Sequence, residues 1–416
     1  MSTNKTFGRF AAARAISIVG DRVADVVLPL AVLAVTGSAA TAGLMGAAAQ
    51  FPQVLAALHV GVLVDRRDRR SVMITADVLR AAVYVAIGLE IAVGGSRLLP
   101  LLLLALVGGV GDAMFNAAAG SYLPSIVDDR DLMRANGLIE GSDAAATLTG
   151  PAIGGWLMQR FGPLVAFLIN AATFLISAVL LWRLPAGRPV QSDKADDERS
   201  VTAGVRLVLR DRRQRVLLIG ACYMHLLAAA AFLPLLVRMR ETLHLSPATV
   251  GLVISAAGVG GLLSSLLLAR WTPTGRWPVT LAAILAVNGA AVGVLALLAG
   301  PVWLAVAVLA LDAASALAFI MVATVRQQIT PDGLRGRVIT AATAVTATVR
   351  MLAIAGIGAL TDLFGPDPVL LGLAGIGIPF LAVLLSAGPA DVDPASVRRP
   401  PAAPADTDPS GRLESS

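Results

Sequence analysis

The stretch Gly61-Val62-Leu63-Val64-Asp65-Arg66-Arg67-Asp68-Arg69-Arg70 decides how the rest of the chain reads. It packs four arginines and two aspartates between two apolar segments, near 41–64 and 73–94. About 20 apolar residues carry a helix across a bilayer. Short connections rich in Lys and Arg lie on the cytoplasmic side of such helices. The stretch therefore reads as an inside loop between two membrane-spanning helices.

The same alternation runs outward in both directions. Twelve apolar segments fall near 10–35, 41–64, 73–94, 98–121, 137–159, 163–183, 215–237, 247–270, 277–299, 301–324, 337–361 and 366–387. Of 416 residues, 56% are hydrophobic and 14% charged, whereas soluble domains carry about 25% charge. That excludes a soluble globule. A backbone in lipid must satisfy its own hydrogen bonds, and no ten-residue alternating strands are present, so helices and not a barrel are expected. The fold class is an all-α integral membrane protein with twelve transmembrane helices. No small-residue cleavage site follows the first apolar stretch, so that span is expected to remain in the mature protein.

Charge placement sets the topology. With the N-terminus inside, roughly twenty-five basic residues fall in inside loops and tails, against Arg97, Arg160, Arg238 and Arg240 outside. The expectation is an inner (cytoplasmic) membrane protein with both termini cytoplasmic. The net charge of +6 sits in short loops and not on a soluble basic face, which argues against a nucleic-acid partner. Cys222 lies within an apolar run and reads as a packing residue.

Two halves repeat at an offset of about 203 positions, where Phe161-Gly162-Pro163 lands on Phe364-Gly365-Pro366 and Gly155 on Gly358. The expected organisation is a six-helix bundle over 1–184, a cytoplasmic linker with an amphipathic helix over 185–214, a second bundle over 215–388, and a disordered tail over 389–416. Duplicated halves with a substrate site between them near the bilayer midplane are a recurring plan in secondary transporters.

Gly61, Asp65, Arg66, Arg69 and Arg70 fit the pattern G-x-x-x-D-R-x-G-R-R, with Asp68 in place of its second Gly. On these residues the chain resembles the major facilitator superfamily. The resemblance implies two pseudo-symmetric six-helix bundles. It also implies a conformational latch, in which Asp65 meets the positive end of the eleventh helix when the carrier faces outward. In the fifth segment Gly137, Gly150, Pro151, Gly154 and Gly155 resemble the antiporter signature of the superfamily's exporter branch, with Ala146 replacing one Gly; they are expected to allow a bend and close packing. The region from Gly162 to Leu181 and the segment Thr330-Pro331-Asp332-Gly333-Leu334-Arg335-Gly336-Arg337 are similar to the enterobactin-exporter and macrolide-efflux-like group of drug/proton antiporters. The fourth segment lacks the Arg that many such antiporters use in coupling.

Charges within the apolar segments supply the candidate site. Each costs about 2.5–3.5 kcal/mol at a helix centre and survives where it meets water, a partner or a substrate. Asp21 and Asp25 share one face of the first segment, and Asp112 and Asn116 one face of the fourth. His225 lies midway along the seventh and Asp312 midway along the tenth. In the superfamily, helices 1, 4, 7 and 10 line the central cavity. The candidates for substrate binding and proton coupling are therefore Asp21, Asp25, Asp112, Asn116, His225 and Asp312. Arg22 is expected to pair with Asp25 or another acid, Asp77 with Arg80 as a structural bridge, and Arg350 to balance Asp312.

Neither Lys5 nor Lys194 sits in a phosphate-binding loop, and His59, His225 and His244 show no metal spacing. No cofactor, no metal and no enzymatic activity are expected. The sequence points to a secondary transporter, functional as a monomer in the lipid bilayer, that exports a small amphipathic molecule by alternating access with protons as coupling ion. The alternatives are a siderophore or other narrow metabolite exporter, an importer, or a lipid flippase.

Overall fold

The computed structural model describes residues 2–59, 67–94, 97–186, 206, 208–270, 277–331 and 334–386. Twelve helices account for nearly all of them. In chain order they are α1 (Ser2–Thr36), α2 (Ala39–His59), α3 (Arg69–Ala92) and α4 (Leu98–Ile126). The helical stretch Asp129–Trp182 then breaks at Gly162 into α5 (129–161) and α6 (163–182). They continue as α7 (Arg212–Val237) with a π-helical turn (Arg238–Thr242), α8 (Pro247–Arg270), α9 (Trp277–Leu297), α10 (Pro301–Ile329), α11 (Arg335–Phe364) and α12 (Pro366–Leu385). There is no strand among the described residues.

Among the described residues, eight helical stretches, one of them the α5–α6 pair, are long and apolar enough to cross a membrane. The apolar run of α1 is interrupted by Arg14, Asp21, Arg22 and Asp25, and α12 is a shorter apolar helix. Large apolar side chains cover the circumference: Trp182, Val302, Leu363 and Ile378 are each 70–75% exposed. In water such a surface would aggregate; in a bilayer it meets lipid tails.

The helices form two pseudo-symmetric bundles, α1–α6 and α7–α12. The repeat seen in the sequence has a backbone counterpart. Gly162 (φ 81°, ψ 170°) and Gly365 (φ 81°, ψ 164°) hold the same conformation at the α5–α6 and α11–α12 turns, a region open almost only to glycine. α3 begins with Asp68 as its N-cap, whose carboxylate accepts from the Arg70 and Ser71 amides. The departure from the expected Gly at this position thus starts a helix.

The loop expected between the fourth and fifth segments is largely helical: α4 runs on to Ile126 and α5 starts at Asp129. Gly61, Asp65 and Arg66 lie outside the described residues, as do the tail and most of the expected linker; of its amphipathic helix, residues 206 and 208–210 are described and are helical.

The bundles meet along two seams, α5 with α8 and α2 with α11. Both seams close at the face that carries the α1–α2, α5–α6, α7–α8 and α11–α12 turns. A methyl group on Gly155 would strike the Pro247 carbonyl of α8, and one on Gly251 the Pro151 carbonyl of α5. On the other seam, Gly358 meets the Ala39 carbonyl and Gly43 the Ile354 carbonyl. Small residues thus bring backbone onto backbone, as helix packing in lipid favours. Toward the opposite face, Gly137, Gly141 and Gly336 adjoin open space and Met133 is 87% exposed.

Candidate functional site

A cavity of about 630 Å³ lies between the bundles. Its walls come from both halves. Arg22, Asp25, Gln50, Tyr84, Asp112 and Pro151 face it from the first, and His225, Phe232, Asp312, Ser315, Arg350 and Ile354 from the second. Four of the six candidates read from the sequence therefore border one space: Asp25, Asp112, His225 and Asp312. The remaining two, Asp21 and Asn116, sit beside it in the first bundle.

Two arginine-centred clusters organise the first bundle. In one, Arg22 of α1 donates to Asp25 at 3.1 Å, one turn along, and to both oxygens of Asp143 on α5 at 2.8 and 2.9 Å. The Asp25 carboxylate remains 56% exposed toward the cavity. The other cluster centres on a buried arginine. Arg80 of α3, 3% exposed, bonds Asp77, Asp112 at 3.1 Å and the Ser17 hydroxyl at 3.1 Å, with Asp21 at 3.5 Å. Phe115 and Phe174 sandwich its guanidinium, their ring centres 4.5 and 4.2 Å away, a cation–π arrangement that strengthens as water is excluded. Asp77 is fully buried. The expected Asp77–Arg80 bridge is present, and it is the centre of a larger network that gathers in Asp21 and Asp112. Nearby, Arg14 donates to Asn116 at 3.1 Å and lies over Phe115.

The second bundle is sparser. His225 places Nδ1 2.8 Å from the Ala221 carbonyl. Asp312 packs against the Gly260–Gly261 step of α8, where a methyl on Gly261 would come within 3.3 Å of its carboxylate. Ser315 donates to the Leu311 carbonyl at 2.7 Å and reaches Asn288 at 3.4 Å. Arg350, expected to balance Asp312, instead crosses to the other half and donates to Gln50 on α2. Gln50 had no place in the sequence reading, although a glutamine inside an apolar segment is a signal that could have found it.

Residues assigned to the latch and the antiporter signature also have defined surroundings. Arg69 donates to the Ser121 carbonyl at 2.9 Å and Arg70 to the Leu184 carbonyl at 2.8 Å. Both bonds stay within the first bundle. Gly150 and Gly154 lie against Arg22 and Val23 of α1, and a methyl on Gly154 would sit 2.8 Å from the Val23 carbonyl. The backbone keeps helical dihedrals through Pro151 and leaves them at Gly162. The signature's glycines pack α5 closely on α1 and α8, and the helix breaks at the following turn, where Gly162 has a φ of 81°.

The closed face is sealed by two helix caps that cross between bundles. At one seam Asp362 of α11 accepts from the amides of Ala39 at 2.8 Å and Ala40 at 3.0 Å, and from the Ser38 hydroxyl at 2.9 Å. These are the unsatisfied donors at the start of α2. At the other, Gln159 of α5 accepts from the Ala248 amide at the start of α8, at 3.2 Å. The repeat offset that pairs Gly162 with Gly365 also pairs Gln159 with Asp362. One seam thus carries a charged cap and the other a neutral one. Deeper along α5, the Ala152 amide donates to Ser255 of α8 at 3.0 Å.

The profile of the Major Facilitator Superfamily matches residues 10–354. Among curated proteins the chain is 30% identical over 259 residues to the multidrug efflux pump Tap of Mycobacterium tuberculosis (strain H37Rv), covering 59% of this chain and 61% of that protein. It is 25% identical over 388 residues to the enterobactin exporter EntS of Shigella boydii serotype 18, covering 92% of both. Among solved structures, the nucleoside transporter NupG (D323A mutant) superimposes with a TM-score of 0.73 at 14% identity, covering 92% of this chain and 99% of that one.

Proposed function

Since the chain belongs to the Major Facilitator Superfamily, we propose that it is a secondary carrier that exports small amphipathic compounds by alternating access, driven by proton exchange. It sits in the bacterial inner membrane as a monomer with both termini cytoplasmic. The observation that carries this reading is the cavity between the bundles, which is walled by apolar side chains and bordered by Asp25, Asp112, His225 and Asp312. The basic-residue asymmetry supports reading the closed face as the outer one, with the molecule facing inward, ready to load from the cytoplasm. The first bundle (1–184) and second bundle (215–388) are the bodies that rock about the site.

Proton exchange is assigned to the carboxylates around the two arginines. Asp21, Asp25 and Asp112 each touch a guanidinium while remaining partly open. Moving a proton onto any of them weakens its hold on that arginine, which offers a way to couple charge to helix movement. The latch residues Gly61, Asp65, Arg66, Arg69 and Arg70 are assigned to the opposite, outward-facing state. A second reading, export of a siderophore-like metabolite, is favoured by the near full-length match to an enterobactin exporter.

The test uses purified protein in liposomes with a lipophilic cationic dye and an imposed pH gradient. Dye movement should follow the gradient and stop with an uncoupler. Asp21→Asn, Asp25→Asn and Asp112→Asn should fold, and at least one should abolish coupled movement. Full coupled transport in all three would overturn the site assignment. No dye movement at all would move the reading to the narrow metabolite exporter.

A further inference from the structure

Arg350 is the one guanidinium bordering the cavity that has no carboxylate partner among the described residues. Arg22, the other guanidinium there, is held by Asp25 and Asp143. Arg80, behind the wall, is held by Asp21, Asp77 and Asp112. Arg350 donates only to the neutral side-chain oxygen of Gln50, and its Nε is buried without a partner. A cation at membrane depth is retained where it meets water, a counter-charge or a substrate. A planar guanidinium with free donors is suited to hold a carboxylate or phenolate through paired hydrogen bonds.

We propose that Arg350, with Gln50 beside it, is the subsite for an anionic group on the transported compound, so that the substrate class is amphipathic molecules carrying a carboxylate or phenolate. This rests on the cavity being the transport site. The carboxylates of the cavity favour cations elsewhere on its surface; at Arg350 the preference is for an anion, because Asp25 and Asp112 are each engaged by a different arginine. Phe232, Leu311 and Ile354, which line the same cavity, supply the apolar surface for the rest of the molecule. An anion that takes up Arg350 also competes with Gln50, and so loosens a bond that ties α11 to α2. Substrate arrival is thereby linked to release of that seam.

The test is equilibrium binding of two dyes to the purified full-length protein in uncharged detergent, read by fluorescence anisotropy. The dyes are rhodamine B and its ethyl ester, which differ only in whether the carboxylate is free. Rhodamine B should bind at least tenfold tighter than the ester. Arg350→Gln should erase that preference by weakening rhodamine B, while Arg350→Lys, which keeps the charge, should retain most of it. Equal binding of the two dyes by the unmodified protein overturns the proposal, as does an Arg350→Gln protein that keeps the preference or weakens both dyes alike. If Arg350→Gln does not fold, the preference of the unmodified protein decides alone. Binding of neither dye overturns the broad-efflux reading and this one with it; tighter binding of the ester overturns this one only.

Discussion

Replacing Asp362 with alanine should shift the carrier away from the closed-face conformation. The Asp362 carboxylate accepts three bonds, two from the amides that begin α2 and one from Ser38. Loss of such a cap costs about 0.5–2 kcal/mol, and loss of a negative charge at a helix N-terminus about 0.3–1 kcal/mol. The group is exposed to solvent, so the combined figure is kept to about 1.5 kcal/mol, which is about tenfold in the conformational equilibrium. The readout is maleimide labelling of Ala39→Cys in a Cys222→Ser background, in purified protein. Ala39 is 1% exposed in the closed seam, so its labelling rate follows the fraction of molecules in which the seam is open. Asp362→Ala should raise that rate about tenfold. Gln159→Ala, which removes a single neutral bond at the other seam, is worth about 0.5 kcal/mol and should raise it about twofold. Equal effects of the two variants, or an unchanged rate for Asp362→Ala in folded protein, would refute the reasoning.

Three further outcomes are expected. Arg80→Met should lower stability by about 3–5 kcal/mol, seen as a large fall in Tm in detergent, because it strands the fully buried Asp77; a Tm within a degree of the parent would show the cluster to be dispensable. Gly162→Ala and Gly365→Ala should each cost about 1–3 kcal/mol, and by similar amounts, since both hold φ near 81°; a strong effect at only one would break the proposed equivalence of the turns. Gly358→Val should prevent the α2–α11 seam from closing against the Ala39 carbonyl, giving fast labelling at Ala39→Cys and no transport, whereas labelling as slow as the parent's would contradict the geometry.

Much of this architecture could be read from the chain because membrane physics writes itself into composition. Spans of about 20 apolar residues must be helices, and the Phe-Gly-Pro repeat marked the two turns that later proved to share a backbone conformation. The site was only partly legible. Asp25, Asp112, His225 and Asp312 stood out because charge inside an apolar run is costly, and all four border the cavity. Their partners did not stand out. Arg80 was read as one half of a local i,i+3 bridge, since nothing in one dimension shows that Ser17, Asp21 and Asp112 converge on it from two other helices. Arg350 was matched to Asp312 by charge alone, when its partner is the uncharged Gln50. The end caps at Gln159 and Asp362 could be aligned by the repeat, but which donors they reach depends on how the bundles dock.

The glycine crossings have a consequence for leakage. Where Gly155 meets Pro247 and Gly358 meets Ala39, the barrier consists of main chain against main chain. Side chains exchange rotamers in picoseconds to nanoseconds, and a plug made of them flickers open on that timescale; whole helices separate in microseconds to milliseconds. At these crossings no rotamer change opens a path for water or protons. The crossings therefore stay shut between conformational changes and open only when whole helices move apart.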